Sequence, residues 1–280
     1  MNKTLAIFEL MRLDKPIGIY LLLWPALLAL VISSNGNFEY VDLIIVIIGS
    51  ILVRSAGCVI NDIWDKDLDG GVERTKTRPI PSKKLSISES WVVFAVLSIL
   101  SLMLLSLTNA NTILISICFG LMIVVYPLTK RFFIGPQIFL GLTFNPTIIV
   151  YAMTNELNNP TIIFLYLAMA AKIIAFDSFY GLCDMEDDKK LGINSTPLWW
   201  GSKTLLIIAI LQFAVISFLM IVGLKAELSF AWYIGIILLS GFYFYQHQLA
   251  SQKNFLLAFK NNHWASLYLL TLSVFCFLII

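Results

Sequence analysis

The feature that most constrains this chain is a series of nine apolar runs, each long enough to cross a membrane as a helix. They cover approximately 16–33, 41–61, 91–108, 112–129, 136–153, 161–182, 203–223, 228–247 and 264–280. A helix needs about 20 mostly apolar residues to span a hydrocarbon core of roughly 30 Å. With 59% hydrophobic and only 13% charged residues, the 280-residue chain is also too apolar for a water-soluble domain. The sequence therefore predicts an all-α integral membrane protein, a single domain over 1–280 with nine transmembrane helices.

The basic residues predict the orientation of these helices, because Lys and Arg are retained in cytoplasmic loops. If the N-terminus is cytoplasmic, nearly all of the 19 basic residues flank the cytoplasmic ends of the runs. Lys225 falls on the external side, and Arg54 and Lys172 fall inside apolar runs. The N-terminal residues show neither a transit-peptide pattern nor a signal-cleavage site. We therefore expect a bacterial inner-membrane protein surrounded by lipid, with a cytoplasmic N-terminus and an external C-terminus.

Charge patterning also excludes one class of partner. The basic residues are spread over five membrane-flanking segments and form no compact platform with aromatic residues. The sequence therefore predicts no nucleic-acid partner.

Two cytoplasmic connections, 62–90 and 183–202, are long and polar, and a group of aspartates leads into each. The first group is Asp62, Asp65 and Asp69, and the second is Asp177, Asp184, Asp187 and Asp188, with Tyr180 among them. At about 100° per residue, each group lies on one face of a helix, within arcs of roughly 60° and 100°. Carboxylates stacked at a membrane boundary repel one another unless a cation neutralises them, and ligand sets made only of oxygen suit Mg²⁺. We expect two facing Mg²⁺ sites; the alternative is a pair of solvated helix ends.

Positively charged residues near these groups suggest what the metal ions would hold. Mg²⁺ is usually bound by a few carboxylates together with substrate phosphates, so a diphosphate bridging the two groups is the natural substrate. The run after the first group supplies candidate phosphate-binding residues, namely Arg74, Lys76 and Arg78. Arg54, inside the second apolar run, is expected to pair either with the diphosphate or with the carboxylate of an aromatic acceptor.

At these residues the chain resembles the UbiA prenyltransferase superfamily. The signatures of that superfamily are NDxxDxxxD after the second helix and YxxxDxxDD near the end of the sixth. They are present here as Asn61/Asp62/Asp65/Asp69 and Tyr180/Asp184/Asp187/Asp188. Four further motifs are most similar to those of the bacterial 4-hydroxybenzoate polyprenyltransferases: 10–18, 54–62, 74–79 and 191–196.

The resemblance implies nine helices around a central cavity, with Mg²⁺ as cofactor. It implies transfer of a polyprenyl group from polyprenyl diphosphate to the ring of 4-hydroxybenzoate, ortho to the hydroxyl, a step of ubiquinone biosynthesis. It assigns the catalytic and metal-binding roles to Asp62, Asp65, Asp69, Asp184, Asp187 and Asp188. It gives substrate-binding roles to Asn61 and to Lys130 and Arg131, which follow Tyr126-Pro127, while Asp177 and Tyr180 would orient the second group.

The chain departs from the family pattern at two places. Lys83 follows Pro81-Ser82 where glycine is usual, and Asn145-Pro146 replaces the usual Gly-Trp pair in the fifth helix, which is expected to form the acceptor wall. A different aromatic acceptor, such as a naphthoate or haem, is therefore an alternative. A cation-coupled transporter is a further one, although carboxylates in transporters bind ions near the bilayer midplane.

Overall fold

The chain folds into a bundle of helices. The structure, a computed structural model, describes residues 3–71 and 75–278. In these residues the α-helices are α1 Lys3–Leu10, α2 Ile17–Ser33, α3 Tyr40–Trp64, α4 Ile87–Leu105, α5 Ala110–Thr129, α6 Pro136–Thr143, α7 Thr147–Met153, α8 Thr161–Leu191, α9 Thr196–Trp200, α10 Thr204–Lys225, α11 Phe230–Ser251 and α12 Phe255–Leu278. The predicted all-α class is confirmed.

Every predicted apolar run coincides with helix, but the runs and the helices differ at their ends. Of the described helices, five are long and apolar enough to cross a membrane by length and composition: α3, α4, α5, α8 and the segment Thr196–Lys225 that contains α10. The 17-residue α2 is a shorter apolar helix. The number of nine crossings therefore stays a prediction.

The long helices form a closed ring. Going round it, α2 packs on α3, α3 on α5, α5 on α6 and α7, α6 on α8, α8 on α10, α10 on α11, α11 on α12, and α12 again on α2. Helix α4 packs against α3 and is mostly exposed, as expected for a lipid-facing helix. The largest apolar cluster joins the late part of α2 to the early parts of α8 and α11, so it fills one end of the ring. The opposite end, where both aspartate groups lie, is left for a cavity.

The fifth apolar run does not form one helix. It is divided into α6 and α7 by Phe144-Asn145-Pro146, because proline has no N–H and clashes with the preceding helical turn. Asn145 stabilises the break: its Oδ1 accepts the N–H of Thr147 at 3.2 Å, and its Nδ2 donates to the carbonyl of Tyr166 at 2.8 Å. The predicted continuous helix over 136–153 is therefore wrong, and the Asn-Pro pair is the reason.

The two aspartate groups end their helices differently. Helix α3 stops at Trp64, and the chain continues through turns to a short 3-10 helix at Asp69–Gly71. Aspartates at a helix C-terminus oppose the helix dipole, which disfavours continuing this helix through the motif. Helix α8 instead continues to Leu191, with Lys189 and Lys190 in its last turn, which favour the dipole. The assumption of a regular helix holds for the second group but not for the first.

Helix α1 docks on the C-terminal end of α3 and the N-terminal end of α4. Its residues Ala6 and Leu10 are buried in an apolar cluster with Val59 and Ile63 of α3. Two surface ion pairs help hold α1 in this position: Lys84 pairs with Glu9 at 2.9 Å, and Lys3 pairs with Glu89 at 2.5 Å. The chain that follows α1 is thereby brought beside the first aspartate group.

Close packing of α10 against α11 leads to a stability prediction. A Cβ added at Gly223 would lie 2.4 Å from Cδ1 of Trp232, a fully buried ring whose Nε1 donates to the carbonyl of Leu219 at 2.8 Å. Since the ring has no space to move into, Gly223→Ala is expected to lower the free energy of unfolding by about 1–3 kcal/mol. Thermal unfolding of the purified protein in detergent measures this.

The matched control for that change is Gly241→Ala in α11. Nothing lies within 4 Å of a Cβ added at Gly241, and alanine is the better helix former by about 1 kcal/mol. This control should leave the stability unchanged or slightly raised. Equal unfolding temperatures for the two variants would contradict the prediction.

Candidate active site

A cavity of about 980 Å³ lies at the end of the ring where the aspartates are. Its walls come from the first turns of α2, the last turns of α3, α5 and α8, the whole of α6, and the first turns of α12. The charged and polar residues predicted from the sequence that line it are Arg54, Asn61, Asp62, Asp65, Asp69, Arg78, Lys130, Asp177, Tyr180, Asp184 and Asp188. The cavity therefore brings both motifs together.

Asp62 is the most deeply paired carboxylate of the first group. Its side chain is 1% exposed and accepts two hydrogen bonds from Arg12, at 2.8 and 2.7 Å. Arg78 bridges it to Asp69, with Nη1 lying 3.0 Å from Asp62 and 2.7 Å from Asp69. Burial disfavours the charged form of Arg12, but Asp62 and Cys58 together outweigh this effect, and the pKa of Arg12 is raised. Two arginines thus neutralise one buried pair of aspartates.

Asp65 has one satisfied and one unsatisfied oxygen. Its Oδ2 pairs with the ammonium of Lys130 and accepts a hydrogen bond from Asn61 at 3.2 Å. Its Oδ1 is buried and has no hydrogen-bond partner among the described residues. Burial raises the pKa of Asp65, and Lys130 opposes the rise. A cation at Oδ1 would meet a lone pair that the protein itself does not use.

The second group lies along α8 across the cavity. Asp177, Tyr180, Asp184 and Asp188 line it, and the ring of Tyr180 packs 4.8 Å from that of Phe259 in α12. Asp187 is placed differently: it does not line this cavity, and its carboxylate lies 3.3 Å from Lys190 on an exposed part of α8. Its role as a metal ligand stays a prediction that rests on the family motif.

Arg54 lines the cavity from α3, about two helical turns before Asp62. Its guanidinium stands 5.0 Å above the ring of Phe144, the residue at the break between α6 and α7. Gly18 allows this position, because a Cβ there would lie only 2.5 Å from Nε of Arg54. That Nε is buried and unpartnered within the described part of the chain. The guanidinium therefore keeps one donor that no described residue uses, and Arg54 lines the cavity.

Two of the described residues predicted to bind phosphate, Lys76 and Arg131, do not line the cavity. Lys76 is exposed beside it. Arg131 is exposed and donates to the carbonyl of Trp64 at 2.7 Å, which caps the C-terminus of α3. Arg74 lies outside the described residues. Their contact with a diphosphate stays a prediction.

Several cavity residues were not singled out from the sequence. Arg12 belongs to the 10–18 motif, yet no spacing rule connects it with Asp62, 50 residues later. His263 lines the cavity and accepts a hydrogen bond from Nε1 of Trp24 at 2.9 Å. Gln137 of α6 lines it as well, and its Oε1 accepts the N–H of Thr196 at 2.8 Å. Of these three residues, only Arg12 could have been found from the sequence, because it lies inside a family motif.

The donor set fits Mg²⁺ when a phosphate shares the ion. In the described residues, no three His, Cys, Asp or Glu side chains form a group that could hold a metal ion by themselves. Mg²⁺, however, commonly takes only one or two carboxylates and completes its shell with water and substrate phosphate. The unused Oδ1 of Asp65, and a second row of carboxylates across the cavity, match that mode of binding.

The fold and the cavity define a multi-pass helical membrane protein with opposed carboxylate groups and basic side chains around one buried space. Residues 22–278 match the model of the UbiA prenyltransferase family. The chain belongs to this family.

Curated relatives agree with the family assignment over nearly the whole chain. The chain is 40% identical over 265 residues to a 4-hydroxybenzoate octaprenyltransferase of Pseudomonas aeruginosa, covering 92% of this chain and 89% of that protein. It is 39% identical over 272 residues to a protein of the same name from Vibrio campbellii, with 95% of each chain covered.

Solved structures support the fold. The apo structure of a UbiA homolog from Aeropyrum pernix K1 superposes with a TM-score of 0.80 at 20% identity, covering 90% of this chain and 94% of that one. A UbiA homolog from Archaeoglobus fulgidus, solved bound to GPP and Mg²⁺, has a TM-score of 0.75 at 18% identity and covers 98% and 100% of the two chains.

Proposed function

We propose that the protein transfers a polyprenyl group from polyprenyl diphosphate to the ring of 4-hydroxybenzoate, ortho to the hydroxyl, in ubiquinone biosynthesis. The observation that carries the proposal is the cavity itself, in which two carboxylate groups face each other beside Arg12, Arg78 and Lys130. Such a site suits a diphosphate shared with Mg²⁺. The relatives named 4-hydroxybenzoate octaprenyltransferase support the choice of donor and acceptor.

The reaction exchanges one bond to the prenyl carbon for another. The C–O bond to the diphosphate breaks, the ring carbon ortho to the phenol oxygen forms the new C–C bond, and that carbon loses its proton. Bound Mg²⁺ would supply positive charge where the leaving diphosphate becomes more negative. Asp62, Asp65 and Asp69 on one side, with Asp184, Asp187 and Asp188 on the other, are the residues proposed to hold it.

The remaining lining residues position the reactants and exclude water. Arg78 and Lys130 lie within ion-pair distance of the first aspartates, so they are placed to contact phosphate oxygens as well. Apolar and aromatic side chains cover the rest of the wall, among them Ile123, Leu140 and Phe144. Keeping water from an electron-poor prenyl carbon prevents hydrolysis of the donor.

Arg54 is proposed to bind the carboxylate of the acceptor. It stands over Phe144, and its Nε has no partner among the described residues. A guanidinium can bind a carboxylate through two parallel hydrogen bonds. An aromatic acid held there would lie along the ring of Phe144.

The proposed location is the bacterial inner membrane, with the N-terminus cytoplasmic and the C-terminus external. The distribution of basic residues along the sequence supports this orientation. It places the charged end of the cavity on the cytoplasmic side, where a water-soluble aromatic acid and Mg²⁺ are accessible.

The test is transfer by the purified protein in lipid nanodiscs. A labelled prenyl diphosphate is supplied with 4-hydroxybenzoate, with a dihydroxynaphthoate or with a haem, each with Mg²⁺ and with excess chelator. Prenylated 4-hydroxybenzoate that disappears on chelation is the expected result. Product from another acceptor alone would overturn the acceptor, and the absence of diphosphate release with every acceptor would overturn the proposed reaction.

A further inference from the structure

The segment after α8 is fixed on both sides of Ser195. The N–H of Asn194 donates to the carbonyl of Lys130 at 2.8 Å, and the N–H of Thr196 donates to Oε1 of Gln137 at 2.8 Å. Both partners belong to the region around the start of α6, so the segment is held against the neighbouring wall of the cavity. The position of Ser195 is therefore set by its neighbours and not by its own side chain.

Ser195 lines the cavity and carries a buried hydroxyl that no described residue uses. The residue is 2% exposed and lines the cavity, and its Oγ has no hydrogen-bond partner among the described residues. The next hydroxyl along the chain, that of Thr196, is instead satisfied by Ser178 at 2.8 Å. Buried polar groups are normally paired, so an unpaired one that lines a binding cavity indicates a missing partner.

Two other residues that line the same cavity carry unpartnered buried atoms, and their chemistry bears on which ligand group Ser195 would contact. Oδ1 of Asp65 is an acceptor suited to a cation, and Nε of Arg54 is a donor beside Phe144. Lys130 connects Ser195 to the first of these sites, since its ammonium pairs with Asp65 while its carbonyl holds Asn194. Ser195 thus belongs to the charged end of the cavity, where the proposed diphosphate lies.

We infer that Ser195 is a further donor-binding residue, whose hydroxyl donates a hydrogen bond to a phosphate oxygen of the prenyl diphosphate. This inference rests on the proposed function and extends it to the segment that joins α8 to α9. The backbone is fixed before the ligand arrives, so the hydroxyl costs little entropy to order. The partner is a diphosphate oxygen, because the polyprenyl chain of the donor is a hydrocarbon and has no hydrogen-bond acceptor.

The experiment measures binding without the transfer reaction. Isothermal titration of the full-length protein in detergent with Mg²⁺ and inorganic pyrophosphate, and separately with Mg²⁺ and geranyl diphosphate, gives the dissociation constants. Ser195→Ala should weaken both about tenfold or more, since a hydrogen bond to a charged group is lost. Ser195→Thr, which keeps the hydroxyl, should bind within about threefold of the wild type.

The matched control is Ser116→Ala in α5. Its Oγ is equally buried and unpartnered within the described residues, but Ser116 does not line the cavity. Pyrophosphate binding by Ser195→Ala at wild-type affinity, or an equal loss in Ser116→Ala, overturns the inference. If the wild type binds pyrophosphate but prenylates another acceptor, only the proposed acceptor fails. If the wild type binds neither diphosphate, the inference and the proposed function fail together.

Discussion

Replacement of Asp62 by asparagine is expected to reduce prenyl transfer at least about a thousandfold, since it removes a buried negative charge from the proposed metal site. Asp62 is 1% exposed and accepts hydrogen bonds from Arg12 and Arg78 at once. Asparagine keeps the size of the side chain but leaves both guanidiniums facing a neutral amide. The measurement is kcat/KM for a short-chain, water-soluble prenyl donor such as geranyl diphosphate, at saturating 4-hydroxybenzoate and Mg²⁺.

The matched control is Asp67→Asn, five residues further along the chain. Asp67 carries the same charge in the same connection, but it is exposed and does not line the cavity. Its replacement should change kcat/KM by less than about twofold, since isolated surface charges contribute little. Comparable losses in both variants would mean that the general negative charge of this connection matters, and not a specific site at Asp62. Unfolding temperatures of both proteins show whether the loss at Asp62 is one of folding.

Replacement of Arg54 by leucine is expected to raise KM for 4-hydroxybenzoate about a hundredfold, with KM for the prenyl diphosphate changed less than about threefold. The reason is that the guanidinium lies over Phe144 with an unpartnered Nε, whereas Arg12, Arg78 and Lys130 occupy the diphosphate end. Loss of a two-point, charge-assisted contact costs about 3 kcal/mol, or roughly a factor of a hundred. Steady-state kinetics with each substrate varied in turn gives both constants.

A second variant tests the same contact without removing the charge. In Gly18→Ala the new Cβ would lie 2.5 Å from Nε of Arg54, and the flexible end of that side chain must move away. We expect the same selective rise in KM for the acceptor, although smaller. Lysine at position 54 should not rescue binding, because an ammonium lacks the planar fork. A rise in KM for the prenyl diphosphate instead would assign Arg54 to the donor, the alternative that the sequence leaves open.

Local sequence patterns determined most of the architecture. Apolar runs of about 20 residues define helices wherever the surrounding solvent is lipid, because each backbone N–H and C=O must be satisfied within the segment. Helical periodicity also placed Asp177, Tyr180, Asp184 and Asp188 on one face of α8, and all four line the cavity. It did not separate Asp187 from them, since an arc of about 100° is wider than the strip of helix that meets the cavity.

The contacts within the site were decided by the tertiary structure. Arg12 reaches Asp62 only because α1 docks on α3. Lys130 joins Asp65 to the segment before α9 only because the ends of α3, α5 and α8 border one cavity. Ser195 belongs to the 191–196 motif, but nothing in the sequence indicates that its hydroxyl is without a hydrogen-bond partner among the described residues. Sequence periodicity shows which residues share a face of one helix. Contacts between residues that are distant in the sequence depend on how the helices pack. These contacts set the charge and polarity of the cavity.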